Sequence, residues 1–224
     1  MKFKNFPLKS KLVIYIVVGV FLVLAVSTAV IISTVTSQEE KLAYQKSIEM
    51  ASNYANQFDA DMKANSAVVK TLALTMENYE ASNRSEVISI LENILEKNPN
   101  LTGVYVGYEP NAFDGKDEEY VNAPGHDATG MFVPYCNNIE GSVIVEPLVH
   151  YSSSDYYQLP KAKGEYILTE PYFYEGVFMV SHVSPIFKDG KFVGIGGIDV
   201  PLEYVDEEVS EVRAFDTGYA FMVS

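Results

Sequence analysis

The chain has 224 residues, of which 48% are hydrophobic and 21% are charged, and its formal net charge is −14. These figures exclude collagen-like and fully disordered chains. The acidic balance also argues against nucleic-acid binding, because phosphate contacts need clustered Lys and Arg side chains. A mean hydropathy of +0.03 in so acidic a chain means that the apolar residues are concentrated in one part of the sequence.

The N-terminal region has the composition of a membrane anchor. Four lysines lie before residue 12, and residues 12–35 form an uncharged run of 24 residues that is rich in Val, Ile and Leu. About 20 such residues cross the hydrocarbon layer, whereas a cleaved signal peptide has a shorter apolar core. We therefore predict a cytoplasmic N-terminus at 1–11, a transmembrane helix at 12–35 and an extracytoplasmic remainder, oriented by the positive-inside rule.

Residues 36–82 are predicted to continue the membrane helix outward as one long helix. No Gly or Pro occurs between Gln38 and Met76, and apolar side chains follow a seven-residue repeat from Tyr44 onward, with Asn65 at one seam position. Such a repeat favours a parallel coiled coil, in which a polar seam residue sets the register. The same stripe could instead pack on the chain's own domain. We expect the helix to do both, which predicts a homodimer.

The region after the long helix is predicted to be an α+β module. Asn83 and Glu86 have the spacing of a capping box, which starts a second helix, and Asn98-Pro99 ends that helix. Short runs of Val, Tyr, Phe and Gly then indicate strands. The predicted strands are Thr102–Tyr108, Gly130–Tyr135, Ser142–Val145, Glu165–Thr169, Val177–Phe187 and Lys191–Val200. Because βαβ alternation is absent from this pattern, we expect an antiparallel sheet flanked by helices.

Turn chemistry predicts how this module ends. Asp189-Gly190 is typical of a tight hairpin between the last two strands. Pro201 is expected at the first position of a further helix, with Asp199 as its possible cap. The glycines within 194–197 are expected to let a helix or a ligand approach the sheet closely. The module is assigned to 83–213, and 214–224 is expected to begin a second, truncated module.

Other polar residues are interpreted as structural or solvent-exposed. His126, His150 and His182 are too dispersed to indicate a metal site, and His126 is expected to face solvent. The run Asp117–Glu119 is typical of a solvated acidic loop. Cys136 is the single cysteine, so no intrachain disulfide is expected. The sequence also carries no cofactor motif that we recognise.

An ordered set of motifs resembles the double Cache extracytoplasmic sensor domains of chemoreceptors and sensor histidine kinases. The motifs are Met131–Tyr135, Glu146–Leu148, Asp155–Lys161, Leu168–Tyr172, Ser184–Ile186 and Asp189–Asp199, together with the anchor and its long helix. The resemblance implies a PAS-like, membrane-distal module that binds a small ligand, followed by a membrane-proximal module and a cytoplasmic output domain. It implies a chemotaxis receptor, with a histidine kinase or a cyclase as the alternative, and no catalytic domain within this chain.

The resemblance also implies a ligand site. In relatives that bind amino acids, an Arg-x-Trp-Tyr segment holds the ligand carboxylate and a later Asp holds its amino group. Here Ser154 stands at the Arg position, and Asp199 matches the Asp. Without the guanidinium fork, an amino acid is disfavoured. We expect an amine, a quaternary ammonium or a neutral heterocycle held by aromatic rings and a carboxylate. The candidate ligand-binding residues are Tyr135, Asp155, Tyr156, Tyr157, Tyr172, Tyr174 and Asp199.

Two other classes of function stay open from the sequence. A membrane-tethered extracellular hydrolase would need a base beside a nucleophile, which Ser152–Ser154, His150 and Asp155 could supply. A dimerisation stalk would carry only a vestigial pocket, and its tyrosines would be ordinary core residues with satisfied hydroxyl groups.

Overall fold

The structure of the protein is a computed structural model, and it describes residues 7–203 together with positions 209, 212, 218 and 219. The chain divides into two compact units, Met1–Ala55 and Asn56–Ser224. The expected boundary at 213/214 and most of the helix expected after Pro201 lie outside the described residues.

Helix α1 spans Leu8–Glu77 without a break, so the predicted continuation of the apolar helix is confirmed, although it ends five residues before 82. One stretch near its N-terminus, of mean hydropathy 2.8, is long and apolar enough to cross a membrane. The seven-residue stripe divides between the two units. Tyr44 and Ile48 are exposed in the first unit. In the second unit, the stripe is half-buried at Phe58 and Met62 and buried from Asn65 onward, at Asn65, Val69, Leu72 and Met76.

Two further complete α-helices lie within the described residues of the second unit. Helix α2 spans Arg84–Lys97, and the Asn83 side chain accepts a hydrogen bond from the Glu86 amide, as the capping-box spacing predicts. Helix α3 spans Asp155–Lys163 and ends at Gly164, which has a left-handed backbone conformation (φ 69°). A short 3₁₀ helix at Asp117–Tyr120 lies between them in the chain.

The described residues of the second unit form one sheet of seven strands, in which every pairing is antiparallel. The strands are β1 Gly103–Tyr108, β2 Pro134–Asn137, β3 Ile144–Pro147, β4 Ile167–Leu168, β5 Tyr172–Tyr174, β6 Val177–Lys188 and β7 Lys191–Pro201. Their order is β3-β2-β1-β7-β6, and both β4 and β5 pair with β6. The predicted α+β class is confirmed. Strand β2 begins four residues later than predicted, and β5 was not predicted.

The β6–β7 hairpin corrects one expectation and confirms another. Asp189 and Gly190 both have positive φ values, 53° and 73°, as the predicted tight turn requires. Strand β7, however, continues through Pro201, so Pro201 does not begin a helix. The Asp199 side chain is buried and accepts a hydrogen bond from another strand, so the expected role of Asp199 as a helix cap is wrong.

The two faces of the sheet have different cores, because successive side chains in a strand point to opposite faces. We call one the helix face: its aliphatic core joins α1 and α2 to Val104, Val180, Ile198 and their neighbours. We call the other the tyrosine face: it joins α3 to Tyr105, Tyr135, Val183 and their neighbours. A Cβ added at Gly196 would lie 3.4 Å from Leu72 of α1, so the expected close approach of a helix to the glycines is confirmed.

Candidate functional site

Five tyrosine rings form a cluster on the tyrosine face. Neighbouring ring centroids lie 5.2 to 6.5 Å apart, in stacked or edge-on pairs. We call this set the tyrosine cluster: Tyr105 from β1, Tyr135 from β2, Tyr156 from α3, and Tyr172 and Tyr174 from β5. Rings in such arrangements present both faces and edges, and the faces attract cations.

A single carboxylate, that of Asp199, lies against this cluster. Asp199 is 2% exposed, and its Oδ1 accepts a 2.5 Å hydrogen bond from the Ser181 hydroxyl. The Ser181 Oγ is in turn 2.7 Å from the Tyr172 hydroxyl, and the Ser181 amide donates to Thr169 Oγ1. Strand pairing fixes this arrangement, because Ser181 of β6 lies directly opposite Asp199 of β7.

The electrostatics show that the five phenol groups surround the carboxylate. Burial raises the pKa of all five tyrosines, and the Asp199 charge raises each of them further. Burial also raises the pKa of Asp199 itself to about 7, which hydrogen bonds from Ser181 and Tyr135 partly offset. The carboxylate is therefore poised between its charged and neutral forms near neutral pH.

Asp199 has only hydroxyl groups as partners within the described part of the chain. None of the ion pairs there involves Asp199. The Tyr105 and Tyr135 hydroxyl groups are also buried and lack a well-formed hydrogen bond to any residue that the structure describes, although the Tyr135 hydroxyl lies close enough to influence the Asp199 pKa. Buried carboxylates are normally paired with a cation, so this one has the chemistry of a cation-binding group.

The structure brings together five of the seven predicted site residues and separates two. Tyr135, Tyr156, Tyr172 and Tyr174 surround Asp199, as described above. Asp155 is exposed at the start of α3. The Tyr157 hydroxyl donates a hydrogen bond to Glu109, which also forms a 2.7 Å ion pair with Lys161.

Tyr105 and Ser181 belong to the site but were not predicted. Side chains alternate between the two faces of a strand. With the strand register known, this alternation would have placed Tyr105 and Ser181 on the same face as Asp199. Glycines opposite the rings make the space: a Cβ at Gly197 would lie 2.1 Å from the Tyr105 ring, and a Cβ at Gly103 would lie 2.2 Å from the Tyr135 ring. Strand glycines often mark such close approaches.

Two predictions about exposed polar residues are wrong. Asp117 is buried and forms a 2.7 Å ion pair with Arg84, which also bonds Asp114 at 2.6 Å; only Glu118 and Glu119 of that acidic run are exposed. His126 is buried, stacks on Tyr120, and lies 2.7 Å through Nδ1 from the Pro124 carbonyl.

The residues proposed for a hydrolase form a backbone turn before α3, in which the Ser153 and Ser154 amides donate to the His150 carbonyl. The Ser153 hydroxyl donates to the backbone carbonyl of His150, not to its ring. In the described ranges, no three His, Cys, Asp or Glu side chains group in a way that could hold a metal ion. The described residues therefore show neither a hydrogen bond from a serine hydroxyl of 152–154 to the His150 ring nor a metal site.

A family model for the first PDC sensor domain of methyl-accepting chemotaxis protein-like proteins matches residues 87–207, which is more than half of the chain. The chain belongs to this family. The matched range contains α2 from its fourth residue, the whole sheet, α3 and the tyrosine cluster. The expected resemblance to Cache-type sensor domains is thereby confirmed.

Individual relatives of this PDC sensor domain are receptors. The chain is 31% identical over 138 residues, 53% of its length, to the methyl-accepting chemotaxis protein TlpQ of Pseudomonas aeruginosa, and it spans about a fifth (19%) of that protein. The crystal structure of the extracellular domain assigned to the histidine kinase mmHK1S-Z2 is 69% identical, with a TM-score of 0.77; the match covers 82% of this chain and 70% of that one.

A more distant structure shows the same fold. The ligand-binding domain of the Campylobacter jejuni chemoreceptor Tlp3, in complex with 4-methylisoleucine, is 17% identical with a TM-score of 0.53, and the match covers 70% of this chain and 58% of that one. These relatives are sensor domains of receptors. The chain therefore contains a PDC sensor domain of the methyl-accepting chemotaxis protein-like family, preceded by one candidate membrane-spanning helix.

Proposed function

We propose that this PDC sensor domain binds a small organic cation, an amine or a quaternary ammonium, and is the sensory part of a chemoreceptor. One observation carries the proposal: a buried carboxylate, Asp199, is surrounded by five tyrosines and has no cation of its own within the described residues. A ligand ammonium would pair with Asp199 while the ring faces stabilise its positive charge. A neutral heterocycle would use the same rings and the protonated carboxyl group.

The residues that would recognise an amino acid argue against that ligand class. Ser154 precedes α3 and offers a hydroxyl group where the amino-acid-binding relatives have a guanidinium group. Arg84, a buried arginine, is already bound to two aspartates. A ligand carboxylate would therefore find no free cationic partner among the described residues near Asp199, so its desolvation would not be repaid.

Calorimetric titration of the 224-residue chain in lipid nanodiscs tests the ligand class. The panel contains methylammonium, tetramethylammonium, the neutral heterocycle pyrimidine, and isoleucine. We expect a cation to bind and Asp199→Asn to weaken its affinity at least 50-fold. The matched variant Asp155→Asn, which changes an exposed aspartate on α3, should bind as the unmodified chain does. Binding of isoleucine without binding of either cation would refute the proposal.

A histidine-kinase output is the second candidate, because the relative at 69% identity is the extracellular domain assigned to a histidine kinase. Two fusions test both: the chain replaces the first membrane helix and the distal sensor module of a chemoreceptor and of a histidine kinase, each of which keeps its own second membrane helix and cytoplasmic output domain. The proposed role in chemotaxis predicts cation-dependent control of methylation in the first fusion. Control of phosphorylation in the second fusion alone would favour the kinase.

We further propose that the N-terminus is cytoplasmic, that the sensor module 83–213 is extracytoplasmic, and that the chain forms a homodimer. The lysines before residue 12 support the orientation, and the exposed apolar stripe around Tyr44 and Ile48 supports the dimer. Oxidative cross-linking in membranes tests the dimer. Ala51→Cys, on the stripe, should give a cross-linked dimer, and Asn53→Cys, away from it, should give far less. Equal cross-linking of both would reject this arrangement.

A further inference from the structure

Two neighbouring residues of β6 contact opposite sides of the sheet. The Ser181 hydroxyl donates to Asp199 on the tyrosine face. The next side chain, His182, points to the helix face, where its Nδ1 lies 2.7 Å from the Tyr166 hydroxyl in a hydrogen bond. A displacement of this strand segment would therefore change contacts on both faces of the sheet.

Tyr166 connects His182 to α1. The ammonium group of Lys70 lies 4.6 Å from the centre of the Tyr166 ring, and Tyr166 packs against the aliphatic core of the helix face. Burial raises the pKa of Tyr166, and a contact from Ser66 partly offsets that effect. Ser66 and Lys70 are four residues apart, on the same side of α1, so Tyr166 contacts one continuous patch of this helix.

Packing alone does not explain a histidine at this position. His182 is fully buried, and its Nε2 has no hydrogen-bond partner among the described residues. Burial lowers its pKa to about 4, so it is neutral at physiological pH. Other helix-face positions of β6 carry aliphatic side chains, such as Val180 and Ile186, which avoid the cost of an unpaired buried nitrogen. The feature that distinguishes His182 from them is its hydrogen bond to Tyr166.

We propose that Ser181, His182 and Tyr166 form a link that couples the state of Asp199 to the position of α1. The inference rests on the proposed function, in which a cation binds at Asp199. Pairing with that cation would change the hydrogen bond from Ser181, shift β6, and change the contact of Tyr166 with α1. A ligand shifts the balance between two positions of α1 only if it binds one of them more tightly. In this proposal, Ser181, His182 and Tyr166 connect the ligand site to α1.

Hydrogen exchange of the 224-residue chain in nanodiscs tests the link without any ligand. Ser181→Ala removes the contact with Asp199, and we expect it to speed exchange of the α1 amides 63–73 at least threefold. In a Tyr166→Phe background, which lacks the bond to His182, the same change should alter that exchange less than 1.5-fold. The matched control is Tyr151→Phe, which removes a hydroxyl bond to Asp127 and should leave the threefold effect intact.

Either of two results would overturn the link: no effect of Ser181→Ala on α1, or an equal effect in both backgrounds. If Ser181→Ala does not fold, Asp199→Asn replaces it with the same expectations. Failure of the proposed function is seen separately, as the absence of cation binding in the calorimetric titration. The exchange result then still decides whether the two faces are coupled.

Discussion

Two buried charges in the sensor module have opposite surroundings. Arg84, 3% exposed, begins α2; it forms ion pairs with Asp114 and Asp117, donates to the Gly130 carbonyl, and lies over the Tyr120 ring. Asp199 is equally buried, yet it has only hydroxyl partners in the described chain.

We interpret Arg84 as a structural charge and propose that Asp199 is a ligand-binding one. A charge leaves water at a cost that only a well-placed opposite charge and hydrogen bonds repay. The chain supplies that compensation to Arg84 from segments about 30 residues away. Around Asp199 it supplies only aromatic rings and hydroxyl groups. Because no opposite charge compensates for burial there, the pKa of this carboxyl group is raised. We propose that the ligand supplies the cation that pairs with Asp199.

Removing the compensated charge should have the largest effect on stability. Arg84→Leu leaves two aspartates beside an apolar core, and we expect it to lower the free energy of unfolding by about 3–5 kcal/mol. Denaturant unfolding followed by circular dichroism measures the change. The control is Lys63→Met, which breaks an exposed ion pair with Asp59 and should change stability little. Equal losses in both variants would contradict the comparison.

Asp199 should make the module less stable as the pH rises. Burial raises the Asp199 pKa from 3.8 to about 7, so between these values the folded state binds more protons than the unfolded state. The free energy of unfolding should therefore fall from pH 4 to pH 7, by on the order of 3 kcal/mol, and Asp199→Asn should remove this dependence.

The difference between the two pH profiles isolates Asp199 from other carboxyl groups. The pKa values of Asp114 and Asp127 are lowered, by hydrogen bonds that outweigh the effect of burial. Their contribution to stability is lost as the pH falls below about 4, which is the opposite direction. If the stability of Asp199→Asn changed with pH in parallel with that of the unmodified chain from pH 4 to pH 7, Asp199 could not be a buried carboxylate without a cationic partner.

Substitutions at two adjacent glycines, Gly196 and Gly197, compare the helix face with the tyrosine face. An added Cβ at Gly197 would lie 2.1 Å from the buried Tyr105 ring, whereas one at Gly196 would lie 3.4 Å from Leu72. Gly197→Ala should therefore lower the free energy of unfolding by about 1–3 kcal/mol, as overpacking does, and weaken cation binding. Gly196→Ala should be nearly neutral for both. Thermal unfolding and calorimetric titration with tetramethylammonium measure the two effects, and a reversed order would contradict the assignment of faces.

The smallest expected effect concerns the hydroxyl group of Tyr172. Tyr172→Phe removes one hydrogen bond to Ser181 and keeps the ring, so we expect a loss of about 1 kcal/mol of stability and an affinity for tetramethylammonium reduced by less than tenfold. The neighbouring Phe173, which is 72% exposed, provides the control Phe173→Tyr, expected to change neither quantity. If Phe173→Tyr weakened tetramethylammonium binding more than Tyr172→Phe, the ligand site would lie on the face of β5 opposite to the tyrosine cluster.

The same contrast explains what sequence reasoning could predict. The start of α2, the Asp189-Gly190 turn and most strands follow from patterns within a few residues, so they were predicted correctly, whereas the helix start predicted at Pro201 was wrong. Asp117 was misinterpreted because its partner, Arg84, is 33 residues earlier, and a local run of charges gives no sign of it. Tyr105 was missed because only the pairing of β1 with β7 brings it to Asp199.

The sequence by itself determined the apolar helix, the α+β class, and which residues alternate along each strand, because these depend on composition and on the period of the backbone. The tertiary structure decided which side chains meet. Strand order and register selected Asp199 as the buried carboxylate, separated Tyr157 and Asp155 from it, and gave Arg84 its two partners. Burial and compensation of charge depend on distances between segments remote in the chain, and folding alone sets those distances.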